Sequence, residues 1–360
     1  MAEGEGQVEQ AAAAAGSEAV DALLALLDVL AGVSRAMHPP RLVELAGRVR
    51  APAATLRAAE AALDETVFRD AAALALRACD GLSAAVEAEN PVMEGYRAMR
   101  LYQRALTTLL PLEHHPAVSR FLLPADQRDD PAIATRLAAP AEVDTGLYHH
   151  ANELTQRGGF SIYLPPFYVA DRAWPLVMAL HGGAGHGRLF LSNWIPLARA
   201  CGFIVVAPTA VGSTWSLMEP EVDSGNLADI LAGVSARWRI DRTRMLLTGM
   251  SDGGTFTLLS GLDADSPFTH LGPVAASFHP MLLAMAEPGR LTGLPIYLVH
   301  GALDWMFPVS VGRTAACTLA AAGAAVVYRE LADLSHAYPA DEQPAMLEWF
   351  LTAYSNRAAA

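Results

Sequence analysis

The chain has 360 residues, 52% of them hydrophobic, and a formal net charge of -13. That length buries a substantial core and suggests two domains or one with a large extension. The acidic balance excludes a nucleic-acid surface or a basic membrane-docking face. All 25 basic residues are arginine, so mechanisms that need a lysine ε-amine are excluded as well: no Walker-A lysine, no pyridoxal Schiff base and no Ser-Lys dyad.

Taken in chain order, the first 16 residues are mostly Ala, Gly, Glu and Gln with no periodic apolar face, and disorder is predicted for 1-16. The acidic start lacks the basic and apolar regions of a signal peptide. No run approaches the roughly 18 apolar residues that span a bilayer, since Asp28 interrupts even the stretch from Ala22 to Val29. A cytoplasmic protein without a membrane span is expected. From Ala19 to Met37, Leu23, Leu24, Leu26, Leu27 and Leu30 fall at helical spacing, and Pro39-Pro40 ends the segment. Helices over Leu42 to Val49, Ala54 to Cys79 and Gly95 to Leu110, joined by Gly81 and Asn90-Pro91, complete an all-α bundle of about four helices across 17-140. This bundle is a candidate homo-oligomer interface. Pro124 to Pro131 is polar and proline-bracketed, as a connector is, and the boundary is expected near Pro140.

Beyond it, Gly146 to His150 and Phe160 to Leu164 read as an antiparallel pair at a sheet edge. Strands at Trp174 to Leu180, Phe203 to Ala207, Val274 to Phe278, Pro295 to Gly301 and Ala325 to Leu331 then alternate with helices at Leu189 to Ala200, Leu227 to Trp238, Phe256 to Leu262, Val309 to Ala322 and Pro344 to Tyr354. Such alternation predicts an α/β fold with a doubly wound, mostly parallel sheet over 141-360. Neither metal nor cofactor is expected. Cys79, Cys201 and Cys317 form no C-x-x-C pair and read as buried apolar residues, and adjacent histidines such as His114-His115 and His149-His150 point to different faces.

Three strand ends carry residues suited to nucleophilic catalysis. Gly249-Met250-Ser251-Asp252-Gly253-Gly254 is a G-x-S-x-G elbow between an apolar run and a helix, and its glycines leave room for a sharp turn that holds Ser251 out for attack. Chance alone produces the motif in roughly one chain in ten of this length, so its surroundings decide its meaning. The strand before it ends in His181-Gly182-Gly183-Ala184-Gly185, an H-G-G loop of the type that supplies oxyanion-hole amides. Downstream, His300-Gly301 delivers Asp304, and the loop after the last strand carries His336.

The order Ser251, Asp304, His336, each past the carboxyl end of a different strand, is the order of α/β-hydrolases. From Gly146 to Tyr354 the chain resembles that superfamily. Tyr163-Leu164-Pro165-Pro166, the segment Trp238 to Arg244 and His300-Gly301-Ala302-Leu303-Asp304 narrow the resemblance to carboxylesterases and polyhydroxybutyrate-depolymerase-like esterases. On this reading Ser251 is the nucleophile, His336 the base and Asp304 the acid. The amides of Asp252 and of Gly182 or Gly183 form the oxyanion hole.

Asp333 competes with Asp304 as the acid, and His300 and His279 compete with His336 as the base. Asp252 places a carboxylate beside the nucleophile, where the helix dipole favours it. Trp215, Trp305, Met306 and Tyr338 are candidate pocket walls for a small-molecule ester. A peptidase or thioesterase using the same three residues, and a non-catalytic binding protein on the same fold, are the alternatives.

Overall fold

The structure, a computed structural model, describes residues 2-139 and 144-352. The chain forms two compact units, Met1–Arg128 and Asp129–Ala360. Among the described residues the first unit holds α1 (Ala2–Arg35), α2 (Leu42–Arg48), α3 (Arg50–Ala59), α4 (Thr66–Ala85), α5 (Pro91–Leu109) and α6 (Pro116–Phe121). Leu23, Leu26, Leu27 and Leu30 of α1 are fully buried, as their helical spacing requires. The bounds of α1 reach Ala2, into the stretch expected to be disordered. That stretch is rich in alanine, the strongest helix former, and needs no apolar face to continue a helix already begun.

Two expectations for the bundle need correction. The helix expected over Ala54 to Cys79 is broken, because a 3-10 turn at Glu60–Ala62 separates α3 from α4. Gly81 lies inside α4 instead of ending it. A Cβ there would stand 3.2 Å from Cβ of Ala98 on α5, so the glycine sets how closely the two helices approach. Asn90 caps α5, its side chain accepting a hydrogen bond from the Met93 amide at 3.3 Å, with Pro91 in the first turn.

The second unit begins with α7 (Pro131–Ala138). Arg136 fastens this helix inside the unit, its guanidinium 4.4 Å from the Phe167 ring centre and bonded to the Ala200 carbonyl. The division therefore falls ahead of Pro140, which itself lies outside the described residues. Eight strands follow: β1 (Gly146–His150), β2 (Phe160–Leu164), β3 (Trp174–Leu180), β4 (Ile204–Pro208), β5 (Ile240–Met250), β6 (His270–Val274), β7 (Pro295–Gly301) and β8 (Ala325–Leu331). Between β3 and β4 lie α8 (Gly187–Phe190) and α9 (Ile195–Cys201). α10 (Pro220–Arg237) precedes β5, α11 (Asp252–Gly261) follows it, and α12 (Met281–Met285) and α13 (Pro288–Leu291) precede β7. α14 (Val309–Ala321) and α15 (Gln343–Thr352) flank β8.

The sheet order is β1-β2-β4-β3-β5-β6-β7-β8. β1 and β2 pair antiparallel, as do β2 and β4, and every pair from β4 to β8 is parallel. Central β3 is buried along its whole length, and the last strand, β8, alternates exposed and half-buried residues. After β3 the chain steps outward to β4, then returns past β3 to build β5. The carboxyl ends of β3 and β5 thus lie side by side while their connections diverge, the switch point at which open α/β sheets place their binding crevice.

The strand expected over Val274 to Phe278 lies at His270–Val274 instead. Gly272 and Pro273 weaken its apolar pattern, yet the sheet needs the glycine, because a Cβ at 272 would stand 2.9 Å from Met346 Sδ and 3.1 Å from Thr248 Oγ1. The helix expected from Leu189 to Ala200 is split by a 3-10 turn at Leu191–Asn193, with Pro196 opening α9. The expected end of the last helix, Tyr354, lies outside the described residues. Cys79 is buried, but Cys201 and Cys317 are exposed, so two of the three are not the buried residues expected. Among the described residues no helix is long and apolar enough to cross a membrane.

The close approach of α4 and α5 yields a direct test. Gly81→Leu is expected to destabilise the chain by about 1–3 kcal/mol through overpacking, read by urea unfolding, and adding Ala98→Gly recovers part of the loss.

Candidate active site

The turn between β5 and α11 is sterically demanding. Ser251 sits at φ 56, ψ -120, a region that L-residues rarely occupy, at a strain of about 1–3 kcal/mol. Neighbouring glycines permit it. A Cβ at Gly249 would stand 2.6 Å from the Gly253 backbone, and one at Gly253 would stand 2.4 Å from the His181 carbonyl oxygen. The Ser251 amide donates to the Val274 carbonyl at 2.9 Å, which ties the turn to the end of β6. At the opposite end of β5, Asp241 accepts from the Thr243 amide at 2.9 Å and pairs with Arg244 at 2.6 Å, organising the strand's entry.

Ser251, Asp304 and His336 come together from three loops and are all buried. Ser251 Oγ lies 3.0 Å from His336 Nε2, and His336 Nδ1 lies 2.9 Å from Asp304 Oδ2. The other carboxylate oxygen of Asp304 accepts from the amides of Met306 (2.9 Å) and Phe307 (2.8 Å). Burial pushes the Asp304 carboxyl up, but the hydrogen bond and charge of His336, with those two amides, hold it below the usual carboxylate range. The Phe307 ring packs edge-on to the His336 ring, centres 5.4 Å apart.

Of the competing residues, His300 lies beside the acid, its Nε2 3.7 Å from Asp304 Oδ2. His300 is fully buried with Nε2 donating to the Phe307 carbonyl at 2.8 Å, while His279 and Asp333 are exposed.

The His181–Gly185 loop lies against the elbow. A Cβ at Gly182 would stand 3.6 Å from Ser251 Cβ, in ordinary contact, and one at Gly183 would stand 2.8 Å from Asp252 Oδ2. The Gly185 amide closes a tight turn on the Gly182 carbonyl at 2.9 Å, with Ala184 left-handed at φ 51. Among the described residues none accepts a hydrogen bond from the amides of Gly182, Gly183 or Asp252. Among the described residues these three donors, in the loop against the elbow and at the first residue of α11, are therefore without an acceptor.

His181 braces this loop from within. Its Nδ1 donates to the Gly182 carbonyl at 2.7 Å and its Nε2 accepts the Ala210 amide at 3.1 Å. That pattern fixes the neutral tautomer, and burial holds the imidazole down at about 3. Asp252, half-buried, accepts a hydrogen bond from Thr214 Oγ1 at 2.6 Å. Thr214 carries no signal in the sequence, since only the fold brings it to residue 252. The Met306 and Phe307 amides, in contrast, follow Asp304 at Asx-turn spacing.

Of the four expected pocket walls, Trp305 and Met306 are each 40% exposed beside Asp304. Tyr338 is half-buried, with its ring 5.1 Å from that of Phe190 and its hydroxyl accepting from Gln343. Trp215 packs in the core of the unit. It is 2% exposed, stacks on Phe256 with centres 5.3 Å apart, and donates its indole N–H to the His181 carbonyl at 2.7 Å. It is core that supports the loop.

Residues 214-353 match the family model for phospholipases and carboxylesterases. A bifunctional acetylxylan esterase/xylanase from Neocallimastix patriciarum is 30% identical over 134 residues, which is 36% of this chain and 19% of that protein's length. Among solved structures, esterase PE8 is 22% identical over 52% of this chain and 97% of its own, with a TM-score of 0.45. The acetyl xylan esterase from Aspergillus awamori is 15% identical over 57% and 98%, also at 0.45.

The neutral imidazole of His181 sets a pH dependence. A histidine whose folded pKa is depressed from 6.5 to about 3 stabilises the fold fully above about 6.5 and loses that contribution as pH falls towards 3, because only the unfolded chain takes up the proton. His181→Gln is expected to lower Tm at pH 7.5 and to flatten its decline between pH 6.5 and 4.5. Parallel Tm curves for the two proteins would contradict this origin.

Proposed function

We propose that the second unit is an α/β-hydrolase of the carboxylesterase type that cleaves carboxylic esters with Ser251, His336 and Asp304 through an acyl-enzyme. The observation that supports this most is the unbroken hydrogen-bond chain from Asp304 Oδ2 through His336 to Ser251 Oγ, at 2.9 and 3.0 Å, next to three unpaired amides. A serine hydroxyl is a weak nucleophile at neutral pH. As its oxygen attacks the ester carbonyl, its proton passes to His336 Nε2, which faces it directly. Asp304 receives the Nδ1 hydrogen bond and stabilises the imidazolium. Its carboxylate, already held by two amides, undergoes little reorganisation.

The carbonyl electron pair moves to oxygen and meets the amides of Asp252 and of Gly182 or Gly183. One such donor is worth about 3 kcal/mol in the transition state. Collapse of the tetrahedral intermediate expels the alcohol, which takes the proton from His336 Nε2. Water then attacks the acyl-serine by the same route in reverse. Thr214 keeps the Asp252 carboxylate hydrogen-bonded at the edge of the hole, and Trp305 and Met306 offer an apolar wall at its mouth. Among the described residues the connection from β6 to β7 carries just the short α12 and α13, too little for a large cap domain there, which favours an open site for soluble esters. The activity named for the Neocallimastix relative makes short acyl groups the first to try.

The test is hydrolysis of p-nitrophenyl esters of increasing acyl length by the wild type and by Ser251→Ala. Turnover by the wild type and its loss by a factor of at least about 1,000 in the variant are expected. Equal rates in both proteins would remove Ser251 from the mechanism. Cleavage of peptide but not ester substrates would replace the esterase with a peptidase.

A further inference from the structure

We propose that Arg157 is a positioning residue for the oxyanion hole, a proposal that rests on the esterase reading of Ser251. Arg157 lies in the connection from β1 to β2. Its Nη1 donates to the Gly185 carbonyl at 2.7 Å, and its Nε to the carbonyls of Gly212 at 2.8 Å and Ala210 at 3.1 Å. Its Nη2 reaches the Ser213 carbonyl at 3.3 Å. One planar guanidinium thus spans two loops that are separate in sequence, the loop after β3 that carries Gly182 and Gly183, and the loop after β4 that carries Thr214.

The backbone delivers the arginine to this place. The Gly158 amide donates to the Thr209 carbonyl at 3.1 Å, and the Thr209 amide donates back to Gly159 at 2.8 Å. Gly158 is left-handed at φ 77, and a Cβ at Gly159 would collide with the Ala151 carbonyl oxygen at 2.0 Å, so the connection folds tightly on itself before Arg157 reaches out. Asp223, fully buried, accepts from the Val211 and Ser216 amides at 2.9 and 2.8 Å and organises the same loop.

The consequence reaches the reacting atoms through Gly185. That residue closes the turn on Gly182, and Ala184 within the turn occupies a left-handed conformation that relaxes when its surroundings loosen. His181 supplies the inner brace between Gly182 and Ala210, and Arg157 supplies the outer one. Oxyanion donors act only when held within about 0.5 Å of their working position. Releasing Gly185 therefore moves the Gly182 and Gly183 amides without touching substrate contacts elsewhere. A lysine, with a single nitrogen, cannot bridge the same set of carbonyls.

The experiment uses the full chain as wild type, Arg157→Ala and Arg157→Lys. Three quantities are measured: kcat and KM on p-nitrophenyl butyrate, affinity for an alkyl trifluoromethyl ketone, and amide hydrogen exchange across 181-187 and 209-214. The ketone probes the hole directly. Ser251 Oγ bonds to its carbonyl carbon, the electron pair moves to oxygen, and the proton goes to His336.

Both variants are expected to lose about 100-fold in kcat with KM within about twofold. Ketone affinity should weaken by the same factor as kcat/KM, and exchange should accelerate in both loops but not in α11. Activity within about threefold of wild type, unchanged exchange, or a fall in activity at constant ketone affinity would each overturn the proposal. If Arg157→Ala does not fold, Arg157→Lys carries the same comparison. A wild type that neither turns over ester nor takes up the ketone overturns the esterase reading itself, and exchange then decides the brace alone.

Discussion

The packing around Ser251 is the constraint on which the rest of the second unit depends. A serine at positive φ between β5 and α11 survives only if nothing projects from positions 249 and 253, since each faces backbone or Leu180 at under 3 Å. The same contacts force β3 and β5 to be neighbours, because Gly253 packs on the carbonyls of Leu180 and His181 at the end of β3. Gly254 lies equally close to the Val274 carbonyl at the end of β6. The elbow is therefore where three strands and a helix fix one another's positions. The switch in connection order between β3 and β5 puts this turn where open α/β sheets place their binding crevice.

Charge is distributed around that turn with little freedom. His336 stands between a serine and a carboxylate whose remaining oxygen is satisfied by two amides, so the acid is held in its ionised form. His181, in the loop against the elbow, is held neutral by burial and by an acceptor role that protonation would abolish. In the proposed mechanism His336 exchanges a proton, whereas His181 is held from taking one up. Asp252 lies directly after Ser251. Its bond to Thr214 and its place in the first turn of α11 both stabilise it.

Much of the site's geometry was legible in the sequence because it is encoded locally. Glycines at fixed offsets mark the elbow, apolar runs mark β3, β5 and β7, and the three reactive residues follow strand ends. The parts that were not legible depend on distant contacts. β6 was expected four residues late because Gly272 and Pro273 hide its pattern, although Gly272 is required by Met346 and Thr248. Gly81 looked like a helix break, and its true role appears only when Ala98 of α5 packs on it. Trp215 looked like a pocket wall because it follows a strand, whereas Phe256 and the His181 carbonyl draw it into the core. Arg157 and Thr214 belong to no motif, and no spacing in the chain connects them to residues 182, 183 and 252.

A nucleophilic Ser251 carries a covalent acyl group during ester hydrolysis. The most direct measurement is mass spectrometry of the chain mixed with p-nitrophenyl butyrate and quenched in acid within the first turnovers. A butyryl adduct confined to the peptide containing Ser251 is expected. Continued release of p-nitrophenol with no acyl group on that peptide, or with the group on another residue, would contradict it.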